Sequence, residues 1–205
     1  MVDFSGKQPE LRLKGVLVGT VQAVDADPTN FDGHAQMLAA FADPYPTTDM
    51  SYLDVYRDVM SPAALGSMPM PTRSTTNSGF WASRTANSAA GVSAQPAGEA
   101  NYTAPELRHV MLPLHQLGAR EGLQISFFTG RVFCSLTSGF IGLAPKMAEP
   151  GDHVYVVPGA VVPFVIRRKP EGAAAFMGEC YLFGIMHGEI LEGLPKERVE
   201  DLVLV

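Results

Sequence analysis

LQISFFTGRVFCSLTSGFIGLAPKMAEPGDHVYVVPGAVVPFVIRR, residues 123–168, is the stretch on which the fold turns. It is rich in Val, Ile, Phe and Leu, and TG, SG, PGD and PGA cut it into short apolar runs. β-Branched and aromatic side chains pack well on a pleated surface, and Gly and Pro close the turns between strands. AAAFMGECYLFGIMHGEIL, residues 173–191, continues in the same character. Consecutive strands on short turns predict an antiparallel meander, which loses its exposed edges by closing into a small barrel.

Outward from that stretch, ELRLKGVLVGTVQAV (10–24) also alternates, with Gly15 and Gly19 placed as at bulges or close backbone approaches. It reads as a bent strand or a tight strand pair. FDGHAQMLAAFA (31–42) and MSYLDVYRDVM (50–60) carry apolar residues three and four apart, the helical period, and Thr47, Thr48 and Asp49 are the caps expected before the second. APELRHVMLPLHQLGAREG (104–122) predicts a third helix with Pro105 in its first turn and a kink or break at Pro113. The tail, residues 195–205, fits a last helical turn or an edge strand. The fold class is α+β: a small antiparallel β-barrel or strongly curved sheet flanked by a few helices, in a single domain spanning 1–205. Its parts are a strand and two helices (1–60), a helix (105–122), the barrel (123–194) and the tail. Between them, residues 61–104 are dominated by Ser, Ala, Thr, Pro, Asn and Gly, yet hold Phe80 and the chain's single Trp, Trp81. A solvated linker has little use for such a pair, so this insertion is expected to fold against the body, as a lid or as a passive element.

Composition excludes several classes of function. The 21 acidic and 15 basic residues give a net charge of -6, with no basic block longer than Arg167-Arg168-Lys169, so no nucleic-acid partner is expected. There is no basic start followed by an apolar segment, and no apolar run of about 18 residues, so we expect no membrane span and a cytoplasmic location. Cys134 and Cys180 are far apart with no CxxC companion, which suits two reduced, buried thiols. GxSxG, GxGxxG, P-loop and HExxH signatures are all lacking, and the histidines at 34, 109, 115, 153 and 187 are scattered. His153 follows Pro150-Gly151-Asp152 and reads as part of a surface turn. No metal and no cofactor are expected.

The run GECYLFGIMHGEIL (178–191) concentrates polar groups among apolar ones. On a strand, Glu179, Tyr181, Phe183 and Ile185 share one face and Cys180, Leu182 and Met186 the other, with Gly184 and Gly188 as breaks in register. Glu179 and Tyr181 then point into a lumen or out to solvent, and His187 and Glu189 lie beyond the bend. Arg131, set between Phe127-Phe128 and Phe133, is placed to pair with Glu179 or to polarise a ligand carbonyl. Tyr155 alternates with Val154 and Val156, so its hydroxyl lines a lumen or the barrel surface.

LRLKGVLVGTVQAV, TDMSYLDVYRDVM, residues 132–168 and GECYLFGIMHGEIL, in that order, resemble the C-terminal region of fungal heterokaryon-incompatibility (HET) proteins. The most specific pieces are GFIGLAP followed by PGD, the VPFVIR strand, and GECY with its later GE. The resemblance covers about half the chain, leaves 61–104 unmatched and does not include the family's N-terminal module. Phe183 and His187 stand where family members commonly carry His and Asp. Small HET-like proteins of this kind include norbornene-forming Diels–Alderases of fungal terpenoid pathways. The resemblance therefore implies a cofactor-independent cyclase acting on a hydrophobic small molecule by intramolecular cycloaddition. Such a reaction needs no nucleophile, metal or redox group. Orientation alone can supply up to roughly 7–11 kcal/mol, and a donor on the dienophile carbonyl adds to it. Arg131, Tyr155, Tyr181 and His187 are the expected donors. Trp81, Phe127, Phe133, Phe164 and Met186 are the expected apolar wall, with Glu179 and Glu189 as further substrate contacts. Two other readings are a non-catalytic HET-like module that binds a partner, and an acid–base isomerase using Glu179 or Glu189 with His187.

Overall fold

The computed structural model describes residues 10–60, 102–111, 130–170, 174–186, 190 and 199–205. Its elements in chain order are β1 (Leu11–Asp25), α1 (Phe31–Leu38), α2 (Tyr52–Val59), α3 (104–111), β2 (Arg131–Leu136), β3 (Ile141–Pro145), β4 (His153–Val156), β5 (Phe164–Arg168), β6 (Ala174–Glu179), β7 (Tyr181–Leu182) and β8 (Val199–Leu204). Trp81, Phe127, His187 and Glu189, the 61–104 insertion except its last three residues, and Pro113 lie outside the described residues.

The strands form a closed ring with a second sheet attached. β4, β5, β6, β8 and β1 follow one another, and β1 returns to pair with β4. The same β1 continues into β1-β2-β3-β7. One strand serves both sheets because it is 15 residues long and bent, with register shifts between Leu17 and Gly19 and between Val21 and Ala23. Each bulge adds a residue on one side of the ladder and turns the strand. A single bent strand, not a strand pair, is what ELRLKGVLVGTVQAV forms.

Closure confirms the barrel, but two expectations about it are corrected. The strands are not a continuous meander, because β4 pairs with β1 and not with β3. Nor is the ring wholly antiparallel: β6 and β8 run parallel and share one register pair, Ala174 with Leu204. The tail is a ring strand paired with β1 from Leu11↔Leu204 to Val16↔Val199, so it is not at an edge.

Two apolar cores result. The small one, Tyr155, Ile166, Ala174, Leu202 and Leu204 with Leu13 and Phe164 against it, takes residues from all five ring strands and fills the inside of the ring. A barrel this narrow is packed by its own side chains. Gly15 makes that packing possible, since a Cβ there would stand 3.0 Å from Leu202 Cδ1 and 3.2 Å from Tyr155 Cδ1. The large core lies outside the ring, where Val154, Val156 and Val165 meet the second sheet and the helices.

The helices cover that large core. In α1 the N-cap is Asn30, whose Oδ1 accepts from Gly33 N at 3.1 Å, and Phe31, His34, Ala35 and Leu38 face inward. In α2 the cap is Ser51 and not Thr47, Thr48 or Asp49: its Oγ accepts from Asp54 N and donates to the Asp54 carboxylate. Tyr52, Val55, Tyr56 and Val59 are buried beneath it, at the predicted helical spacing. Leu107 and Met111 bring α3 onto the same core. Among the described residues no helix is long and apolar enough to cross a membrane.

Candidate functional site

β6 and β8 are joined through one residue pair, the seam of the ring. Of the inner-facing residues, Phe164 on β5 and Phe176 on β6 lie toward one end of the ring, and Arg168 on β5 and Glu200 on β8 toward the other, with the buried Ile166 between them on β5. Phe176 is 50% exposed, and the Arg168 and Glu200 side chains 49% and 41%. Strand alternation sets them there: on β5, Phe164, Ile166 and Arg168 share the face that meets Tyr155, since Tyr155 pairs with Phe164.

Tyr155 links the apolar and polar parts of the seam. Its ring is wholly buried inside the barrel. Its hydroxyl donates to Glu200 Oε2 at 3.0 Å and accepts from Arg168 Nη2, which also donates to Glu200 Oε2. Beside its backbone, Phe164 and Phe176 pack edge to face with centroids 5.1 Å apart. The His153 ring stacks on Tyr155 at 6.3 Å, and its buried Nδ1 has no hydrogen-bond partner among the described residues. Burial raises the Tyr155 pKa, with the Arg168 hydrogen bond opposing that shift. Burial, followed by the Arg168 charge, lowers that of His153. The inner face thus holds a fixed phenol and a guanidinium toward one end and an aromatic pair toward the other. His153 is on a ring strand and is not part of a surface turn.

The other expected site residues are dispersed. Phe133, Tyr181 and Met186 are buried in the large core, away from the ring interior. Arg131 Nη1 donates to the backbone carbonyl of Glu179 at 2.7 Å, so it meets Glu179 through the main chain and not through the carboxylate. Glu179 is exposed and pairs with Phe164 across β5–β6. Of the expected residues, Tyr155, Phe164 and Glu179 form one cross-strand row, and Tyr155 meets Arg168 and Glu200. Arg168 and Glu200 were missed. The FVIRR alternation carried a signal for Arg168, while nothing local placed the tail strand of Glu200 beside it.

A second polar cluster also escaped the sequence. His34 is fully buried beneath α1, with Nδ1 2.7 Å from Tyr56 Oη, Nε2 3.8 Å from Asp25 Oδ2, and the Phe133 ring 4.8 Å away between centroids. Asp25 Oδ2 is engaged by Asn30 Nδ2 at 2.6 Å, and His34 Nε2 has no hydrogen-bond partner among the described residues. Burial pushes the imidazole pKa down to about 4, against the pull of Asp25 and Asp27. The imidazole is therefore neutral at pH 7 and acts as a packed structural group. Beside α1, a hollow of about 280 Å³ is lined by Gln22, Ala23, Gln36, Met37, Ala40 and Ser135, and none of the polar clusters opens into it. Cys134 and Cys180 are buried free thiols, and burial raises both pKa values. No group of three metal-ligating side chains occurs among the described residues.

The Het-6 beta-barrel domain family matches residues 101–205, just over half of the chain, which includes four of the five ring strands and leaves out β1. Heterokaryon incompatibility protein 6, OR allele, from Neurospora crassa is 36% identical over 63 residues, a stretch that makes up 29% of this chain and 9% of that protein. The chain thus matches less than a tenth of that relative's length. No solved structure matches it. On a closed ring built largely from the matched residues, and with that match over half its length, the chain belongs to the Het-6 beta-barrel domain family.

Proposed function

We propose that the chain is a HET-type barrel module that works by binding an apolar group at the seam of its ring. The observation that carries this reading is Phe176, half exposed and packed edge to face on Phe164, which pairs with the buried Tyr155 across β4–β5. Aromatic side chains bring large contact area at low entropic cost. Incompatibility is a property named for the relative, and a recognition role for this module agrees with it. Nile red, a neutral apolar fluorophore, is the first probe. Its fluorescence should rise with the protein and fall to background with Phe176→Ser, a surface change that leaves the thermal midpoint in place. Unchanged dye binding in a folded Phe176→Ser protein refutes the seam.

A second reading is favoured by Tyr155, one of the residues expected from sequence, meeting the Arg168 donor at the edge of the ring core. A cofactor-independent cyclase needs this pairing of apolar surface and directed hydrogen bond, the donor stabilising charge that develops on a dienophile carbonyl. The test is incubation with a cyclopentadiene-bearing diterpene enal without added cofactor. Acceleration to one norbornene isomer, reduced by Tyr155→Phe, supports cycloaddition. Rate and product ratio equal to those with heated protein remove the cyclase and leave the binding reading in place.

A further inference from the structure

We infer that the hollow beside α1 is a binding site for a small uncharged molecule that carries a carboxamide or lactam group. The hollow, of about 280 Å³, lies between α1 and the β1–β2 pair and is separate from the inner face of the ring. Two features of the chain build it. The register shift between Val21 and Ala23 makes Gln22 the extra residue of a bulge, so Gln22 and Ala23 line the hollow together, where a regular strand would send them to opposite faces. Across from them, Gln36, Met37 and Ala40 come from the end of α1 and the turn after it, and the small Ala23 and Ala40 side chains leave the space open.

Ser135 gives the hollow its chemistry. It pairs with Ala23 across β1–β2 and lies two residues from Phe133, whose ring packs on His34 of α1, so both side chains point toward the helix. Ser135 is 1% exposed and lines the hollow, and its hydroxyl has no hydrogen-bond partner among the described residues. A hydroxyl shut off from bulk water and left unpaired is destabilising, and a ligand that bonds it removes that cost. The Gln22 and Gln36 carboxamides, both exposed, each bring donors and an acceptor to the same space. Among the described residues no charged side chain lines the hollow, so an ionic ligand would shed water there without meeting a counter-charge. An amide group is neutral and holds a donor and an acceptor side by side, so it can answer the hydroxyl and a carboxamide together. The space is just below the about 300–1,000 Å³ of sites for drug-sized ligands, so the occupant is small, with Met37 as its adaptable apolar contact.

The experiment follows the backbone and side-chain amide resonances of the full chain by nitrogen–proton NMR as benzamide or benzoate is added, with the thermal midpoint of each variant recorded. Benzamide should shift the side-chain amides of Gln22 and Gln36 and the backbone amides of Ala23 and Ser135 in a saturable way. Benzoate, equal in shape but charged, should bind at least about tenfold more weakly. Ser135→Ala should weaken benzamide about fivefold, the effect of one neutral hydrogen bond. The same change should raise the thermal midpoint of the free protein, because it deletes a buried hydroxyl that has no partner. Ala40→Trp, a change at an exposed position that fills the hollow, should abolish the shifts in a protein that still unfolds cooperatively. Equal affinity for benzamide and benzoate, or equal affinity of wild type and Ser135→Ala for benzamide, overturns the amide assignment. A lowered midpoint in Ser135→Ala would show the hydroxyl bonded within the fold and overturns it too. No saturable shift at these four residues with benzamide, or shifts that persist in folded Ala40→Trp, removes the site.

Discussion

At the residue scale, His34 and Asp152 show opposite ways of burying a polar group. His34 is neutral: its pKa of about 4 lies below the ordinary histidine value of 6.5 because burial penalises the cation more than Asp25 and Asp27 favour it. A depressed folded-state value means the unfolded chain takes up a proton first. His34 therefore contributes full stability above about pH 6.5 and loses it as pH falls toward 4, by about 3 kcal/mol in all. Guanidinium unfolding of wild type and His34→Leu at pH 7.5, 6 and 4.5 checks this. The stability gap between them should shrink as pH falls, and a constant gap would mean that the imidazole does not titrate in this window. Asp152 is charged and is held by Arg167 through Nε at 2.7 Å and Nη2 at 3.0 Å, while its Oδ2 accepts from Glu149 N at 2.9 Å. Asp152 is 2% exposed, so its removal strands the Glu149 backbone donor and takes two hydrogen bonds from Arg167, which keeps Glu149 Oε2 and Met147 O. Asp152→Ala should cost about 3 kcal/mol in the same assay, and a loss below about 1 kcal/mol would mark the pair as dispensable.

At the scale of the element, the corner between ring and second sheet is set by glycine. The run 178–191 predicts alternating faces with breaks at Gly184 and Gly188, and over its described residues 178–186 the side chains do not alternate: Cys180, Tyr181, Leu182, Phe183, Ile185 and Met186 are all buried. β6 ends in the ring at Glu179 and β7 begins at Tyr181 to pair with β3; Gly178, at φ +141°, bends the end of β6, and Gly184, at φ +79°, ends the run after β7. Apolar content was legible there, and direction was not, because periodicity assumes a straight strand. Tyr155 and Phe164 were legible for the converse reason, lying in short uninterrupted alternations. The crossing needs Gly142, where a Cβ would sit 1.9 Å from Tyr181 O, a backbone atom that cannot yield without losing the β3–β7 ladder. Gly142→Ala should cost roughly 3 kcal/mol or more. Gly130→Ala is the control: φ is +79° but nothing lies within 4 Å of the added methyl, so strain of about 1 kcal/mol is all that is expected. Equal losses at both positions would show that the corner tolerates displacement.

At the scale of the whole molecule, what holds the ring shut lies far apart in sequence. β1 pairs with β4 and with β8, contacts that join Leu17 to Tyr155 and Leu13 to Leu202. Propensity and turn chemistry act over a few residues, so strand content and helix faces could be read directly, whereas the place of the tail in the ring could not. The two cores share β1, β4 and β5, and Met177 of β6 packs against the large one; β8 serves the small core alone, and β2, β3, β7 and the helices cover the large one. β6 and β8 are joined by a single register pair, which makes the seam the weakest closure in the ring. Opening there exposes the small core first, and such sub-global openings have their own free energies. Leu202, 3% exposed and fixed between Gly15 and Tyr155, is the residue to cut. Leu202→Ala should cost about 2–4 kcal/mol. In native-state hydrogen exchange that loss should fall on amides of β5, β6 and β8, while those of Phe133 and Leu143 in the second sheet keep wild-type protection. A uniform fall would show that the shared strands bind both cores into one cooperative unit, and the seam would then open only when the whole protein unfolds.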